Sequence, residues 1–241
     1  MILVPLPTSF STEYEQRPPY KLQDWQLRCI SLALVEAWKR ISKYKSDLLK
    51  SKEPLTTIDI CDELAQIQAD GIICGFNQES FETPDPNPQR KSAPGSKYET
   101  RSNDFILRPS GYFPGGNKRK YGLVVESKKL SQKTHGINKY VVEGMYRFIN
   151  DGDYAEYMLH SMMLAYSDGY HNLPQSLCDY ITNSKSKKII KCLLAKETTK
   201  KCYSDTCEVY ITNHNRLFKL PDNSDPGPID IHHLWLVPIA S

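Results

Sequence analysis

The chain has 241 residues, 39% of them hydrophobic and 24% charged, a composition that excludes wholesale disorder and fibrous architectures and leaves an ordinary globular protein. Its formal net charge of +3 is too small to make the whole surface a nucleic-acid binder, so any basic surface must be local. No apolar run approaches the ~18 residues of a membrane helix, the opening Met1-Ile-Leu-Val-Pro-Leu-Pro has no signal-peptide pattern, and seven irregularly spaced cysteines form no disulfide framework; the expectation is a cytoplasmic protein with free thiols and no membrane partner.

The length allows one compact domain over 1–241, with an N-terminal helical part at 20–55, a core at 56–170 and a C-terminal helix and β extension at 171–241. In chain order, Leu27, Ile30, Leu34, Trp38, Ile41 and Leu48 fall at helical spacing and predict a long amphipathic helix from Leu22 to about Lys50. After Glu53-Pro54, Thr56-Thr-Ile-Asp59 reads as a capping box, and Ile60, Leu64 and Ile67 carry a second helix to Asp70-Gly71. Residues 77–103, with prolines at 84, 86, 88 and 94, predict a long irregular loop. Asp104-Phe-Ile-Leu107 and Tyr121–Lys128 then predict two strands of a β-meander, Ile137–Ile149 a further helix, and Met162–Tyr166 a buried strand. A lysine-rich segment at 185–201 precedes two alternating β segments, Glu208–Asn213 and Ile229–Val237.

The residues that carry chemistry are Glu126-Ser-Lys128. Side chains two apart on a strand share a face about 7 Å apart, so an apolar strand here delivers a carboxylate and an ammonium to one spot. Burying such charges costs several kcal/mol unless a cation or a tight partner compensates. Asp104, opening the preceding strand, stands where antiparallel pairing brings a second acid beside Glu126. Two carboxylates, water and a substrate phosphate suffice for magnesium, a hard ion with oxygen ligands. The bland reading of Glu-x-Lys on a strand is an exposed ion pair worth about 0–1 kcal/mol.

Asn103-Asp104-Phe-Ile-Leu with Val124-Val-Glu126-Ser-Lys128 resembles the PD-(D/E)xK nuclease superfamily, the restriction-endonuclease-like proteins, over about residues 56–166. Asn103 stands where the family motif has proline. The resemblance implies an α/β fold, a central mixed sheet flanked by helices, and a Mg2+-dependent DNA endonuclease (Mn2+ substituting) of the kind found in restriction and phage-defence systems. It implies Asp104 and Glu126 as metal ligands, Lys128 as a catalytic partner, and a third acid on the preceding helix. Glu63 is the candidate for that acid, with Asp59 and Asp62 as rivals. Double-stranded DNA is the implied substrate, and the protein is expected as a homodimer or a subunit of a larger defence complex.

For DNA contacts the candidates are the Lys118-Arg119-Lys120 turn leading into the motif strand, and Lys139 and Arg147 on the helix after it, where Glu143 shares their face. Arg90, Lys91 and the lysines of 185–201 also qualify, although such runs are usually solvated faces. His214 and Arg216 are candidate phosphate or partner contacts. Cys202, Cys207, His214 and His232 or His233 lack the paired Cys-x-x-Cys of a zinc knuckle, and the histidines are expected to pack in the C-terminal sheet. The alternative function is a non-catalytic DNA-binding or assembly subunit of the same fold, with the charged strand a structural ion pair.

Overall fold

The computed structural model describes residues 19–45, 49–86, 89–91, 100–102, 104–111, 121–131, 136–150, 154–182 and 198–237. Two long helices come first, α1 (Asp24–Tyr44) and α2 (Glu53–Asp70). Pro54 lies in the first turn of α2, where no backbone donor is needed, so the helix begins three residues before the expected capping box. Thr56 and Thr57 therefore sit inside it, their hydroxyls turned back to the carbonyls of Lys52 and Glu53. Gly71 ends α2 in the left-handed conformation, with its N–H on the Ile67 carbonyl.

The proline-rich stretch contains short pieces of strand, β1 (Asp85–Pro86), β2 (Gln89–Lys91) and β3 (Thr100–Ser102). Next come β4 (Phe105–Leu107) and β5 (Leu123–Leu130), then α3 (Ile137–Lys139), a π-helical segment Tyr140–Met145, and α4 (Tyr146–Asn150), which run on as one helix. The chain closes with β6 (His160–Ser167), α5 (Gln175–Thr182), β7 (Thr198–Ser204), β8 (Cys207–His214) and β9 (Ile229–Leu236).

These make an α/β protein with a mixed sheet in the order β1-β4-β5-β6-β9-β8-β7, beside a small β2-β3 pair. β4 runs antiparallel to β5, while β5, β6 and β9 are mutually parallel. A parallel pair needs a crossover, and residues 137–150 supply it between β5 and β6. The C-terminal strands are not an appendage: β9 hydrogen-bonds to β6 along its whole length and extends the central sheet.

Both faces are covered, which explains the near-continuous apolar runs Leu123-Val-Val and Met162-Met-Leu-Ala. On one face Trp38 of α1 stacks on Tyr166 at 5.4 Å, and its indole N–H donates to the Val237 carbonyl at 2.9 Å. The Tyr166 hydroxyl meets Thr57 of α2 at 3.2 Å. The apolar stripe of α1 is thus spent on the chain's own core. On the other face Tyr140 packs edge-on to Trp235, and Gly144 lets the crossover helix approach closely. A Cβ at residue 144 would lie 2.5 Å from Met163 Cε and 3.4 Å from Lys128 Cγ.

Gly122, just before β5, has φ +134°, and a Cβ there would meet Ile106 Cγ2 at 2.7 Å and Arg108 Cγ at 2.8 Å. Gly122→Ala is therefore expected to cost about 3 kcal/mol, combining backbone strain with overpacking against β4, as a lowered midpoint in urea melts. No helix among the described residues is long and apolar enough to cross a membrane.

Candidate active site

The register Phe105↔Val125 and Ile106↔Val124 places Asp104, the residue before β4, across from Glu126. β4 ends there, so beyond Val125 the backbone donors of β5 on that edge meet no further strand among the described residues. Two carboxylates take its place. Asp104 Oδ2 accepts the Ser127 N–H, and Glu53 Oε2, from the first residue of α2, accepts the Lys129 N–H at 2.9 Å. The free edge of β5 thereby draws two acids from distant parts of the chain to the side of Glu126 and Lys128.

Glu126 is fully buried and its carboxylate is held on both oxygens. Lys128 Nζ donates to Oε1 at 2.5 Å, Arg147 Nη1 donates to the same oxygen at 2.8 Å, and the Tyr154 hydroxyl donates to Oε2. Lys128 also donates to the Ser127 carbonyl at 2.9 Å and lies 3.5 Å from Glu53 Oε1. Burial works against the Lys128 charge, but Glu126, Glu53 and Asp104 together outweigh it and hold the ammonium above its usual value. Lys128 is consequently a permanent cation at neutral pH and cannot accept a proton. Asp104 moves the other way: burial first, then the neighbouring Glu126 charge, pushes its carboxyl up to about 7, against the opposing pull of Lys128 and the Ser127 N–H.

Tyr154 is set by its backbone. Ala155 follows it in the left-handed conformation at φ +66°, uncommon for a residue with a Cβ, and its carbonyl is held by Arg216 Nη1 at 3.1 Å. Arg216 is buried, and its guanidinium also donates to the carbonyls of Glu156, Met158, Pro226 and Gly227. The sequence reading of Arg216 as a phosphate contact is corrected: its donors are consumed by backbone carbonyls, and it staples the loop carrying Tyr154.

The structure thus gathers Asp104, Glu126 and Lys128, as the sequence predicts, and adds Glu53, Tyr154 and Arg147, which the sequence offered only as a DNA contact. It does not bring Glu63 there. Glu63 accepts from the Tyr44 hydroxyl and lies 3.7 Å from Arg40, facing α1. Ten residues beyond Glu53 is about 15 Å along a helix, too far for one site. Asp59 pairs with Lys45 and Asp62 is exposed, so neither rival replaces it. Glu53 was hidden by the helix boundary, although an acid immediately before proline is a helix-start signal. Tyr154 had no sequence signal, because it depends on a left-handed turn at an alanine.

Lys139 and Glu143 are exposed on the crossover helix away from Glu126. Lys118, Arg119 and Lys120 lie outside the described residues, as do the lysines from 185 to 196. Lys200 pairs with Glu208 and Lys201 with Asp24. The histidines of the C-terminal strands are core residues: the Thr212 hydroxyl lies 2.7 Å from both His233 Nε2 and His214 Nε2, and His233 Nδ1 meets the Tyr140 hydroxyl at 2.8 Å. They assemble no zinc site. Among the described residues no group of three or more His, Cys, Asp or Glu side chains is arranged to hold a metal ion by itself.

A carboxylate pair still fits a hard divalent cation that keeps most of its waters. Burial is the first cause of the raised Asp104 carboxyl and the neighbouring Glu126 charge the second, and a cation bound between them would oppose both. No protein-family model matches this chain, and no curated protein or solved structure matches it.

Proposed function

We propose that the protein is a divalent-cation-dependent phosphodiesterase acting on DNA, an endonuclease of the restriction-endonuclease-like type that serves restriction or phage defence. The observation that carries this reading is the meeting of Asp104, Glu126 and Lys128 on two neighbouring strands, with Glu53 from the preceding helix, around one spot. Asp104 and Glu126 would hold Mg2+ or Mn2+, with Glu53 joined to the same cluster through Lys128. When bound, the ion supplies Lewis-acid polarisation of a phosphoryl oxygen.

The chain's own residues supply the rest. Lys128, locked in its charged state, stabilises negative charge developing on the phosphoryl group and does not serve as a base. Tyr154 fixes the rotamer of Glu126 by donating to Oε2. Arg147, at the rim of the site, offers a planar fork suited to a phosphate. Asp104 orients the edge of β5 through the Ser127 N–H.

Plasmid nicking in Mg2+ or Mn2+ tests the reading, and the two acids of α2 sharpen it. Glu53→Gln is expected to lower cleavage at least about tenfold, a barrier increase of about 1.4 kcal/mol. Glu63→Gln is expected to cleave like the wild type. The reverse order would remove Glu53 from the site.

A second reading has its own observation. Every charge in the cluster is paired within the chain: Glu126 is held by three donors, and Asp104 and Glu53 occupy the β5 edge. Such a network suits a non-catalytic DNA-binding or assembly subunit. Duplex binding without divalent-dependent cleavage, unchanged by Lys128→Met, is its expected signature.

A further inference from the structure

We propose that Arg147 gates the site, so that Glu126 takes up a divalent cation strongly only when a DNA phosphate draws the guanidinium away; this rests on the phosphodiesterase reading and specifies its regulation. As it stands, both oxygens of the Glu126 carboxylate are engaged, Oε1 by two cationic donors. Oε1 is shared by Lys128 at 2.5 Å and Arg147 at 2.8 Å, and Oε2 takes the Tyr154 hydroxyl. A cation arriving at Oε1 meets two positive charges, and one must yield.

The three donors differ in their freedom to move. Lys128 has a side chain only 11% exposed, with its stem against Gly144 and further bonds to the Ser127 carbonyl and Glu53. Tyr154 is buried, and a neutral hydroxyl on Oε2 coexists with a cation on the other oxygen. Arg147 has a side chain 42% exposed and otherwise lies over the Tyr154 ring, 5.9 Å from its centroid. It is therefore the donor that solvent, or a ligand from solvent, can reach.

A guanidinium between a carboxylate and a phosphate is contested by both, and a duplex offers the phosphate in bidentate geometry. Its departure removes one positive charge from the oxygen the cation needs. Phosphate and cation binding are then coupled, and the coupling is reciprocal. The crossover helix bearing Arg147 contains the π-helical segment Tyr140–Met145, a distortion that occurs preferentially at functional sites.

The test measures Mn2+ affinity directly, from the spin-resonance signal of free Mn2+, with and without a short DNA duplex checked on a gel to be uncut. For the wild type, the duplex is expected to strengthen Mn2+ binding about tenfold, within the usual range of coupling between two ligands. Arg147→Gln is expected to bind Mn2+ about tenfold more tightly than the wild type without DNA, with under about twofold further gain from the duplex. Arg147→Lys, which keeps the charge, is expected to stay near the wild type without DNA. A duplex that leaves wild-type Mn2+ affinity unmoved, or an Arg147→Gln protein that binds Mn2+ no better than the wild type, overturns the gate. Glu126→Gln separates this from the broader reading: loss of Mn2+ binding there alongside an unchanged Arg147→Gln protein overturns the gate alone. Mn2+ binding intact in Glu126→Gln overturns both.

Discussion

Glu126→Gln is expected to reduce divalent-dependent plasmid cleavage at least about 10³-fold, about 4 kcal/mol of transition-state stabilisation, while leaving a folded protein. On the proposed reading the substitution removes a carboxylate that would hold the ion, and in any case the group that orients Lys128. The stability cost is moderated by the neighbours. Lys128 retains the Ser127 carbonyl and the Glu53 carboxylate, so it is not stranded as a bare buried charge. Asp104 loses the like charge that helps to raise its carboxyl and relaxes toward the ordinary carboxylate range. The expected change is a loss of activity with a unfolding midpoint shifted by about 1–2 kcal/mol or less. Equal cleavage by the two proteins would place the chemistry elsewhere.

The second large effect is acid instability seated in the C-terminal half of the sheet. His160, His214 and His232 are buried among strands β6, β8 and β9, and burial pulls them down to about 4, about 4 and about 3 from the ordinary 6.5. The folded state holds them neutral, whereas the unfolded chain takes up protons near pH 6.5. Stability is therefore full above about pH 6.5 and is lost progressively as pH falls toward 4 and 3, by about 3 kcal/mol for each of His160 and His214. His232 is the most informative of them. It packs edge-on to His160 with ring centroids 5.2 Å apart, and neither of its ring nitrogens has a hydrogen-bond partner among the described residues. His232→Leu discards two unsatisfied polar atoms and a titrating group together. Urea melts should show it at least as stable as the wild type at pH 7.5, with a widening advantage at pH 5. A loss above about 2 kcal/mol at pH 7.5 would mean that the imidazole makes a bond worth keeping.

How much of this was legible in the sequence depended on how local its cause is. The period-2 alternation of Val124, Glu126 and Lys128 is a property of a single strand, and the structure keeps all three on the face toward the crossover helix. Pairing of Asp104 with Glu126 follows from antiparallel pairing of two strands consecutive along this part of the chain, and the register places them opposite each other. Arg147, two residues past the π-helical segment, was visible as a charge on an amphipathic helix, though its partner was not. Glu53 was missed because proline at the second position of a helix reads equally well as a break. Tyr154 and Arg216 act through a left-handed alanine and a set of backbone carbonyls, neither of which leaves a pattern in one sequence. The parallel pairing of β9 with β6, more than sixty residues apart, likewise has no local signature, so an integral half of the sheet read as an extension.

A crystal of the protein soaked in Mn2+ gives the most direct trial of the account. Anomalous scattering should place one ion within about 2.0–2.6 Å of carboxylate oxygens from both Asp104 and Glu126, and that peak should vanish in Glu126→Gln crystals soaked alike. Well-ordered Asp104 and Glu126 side chains with no peak between them, in crystals whose Mn2+ binds elsewhere, would contradict it.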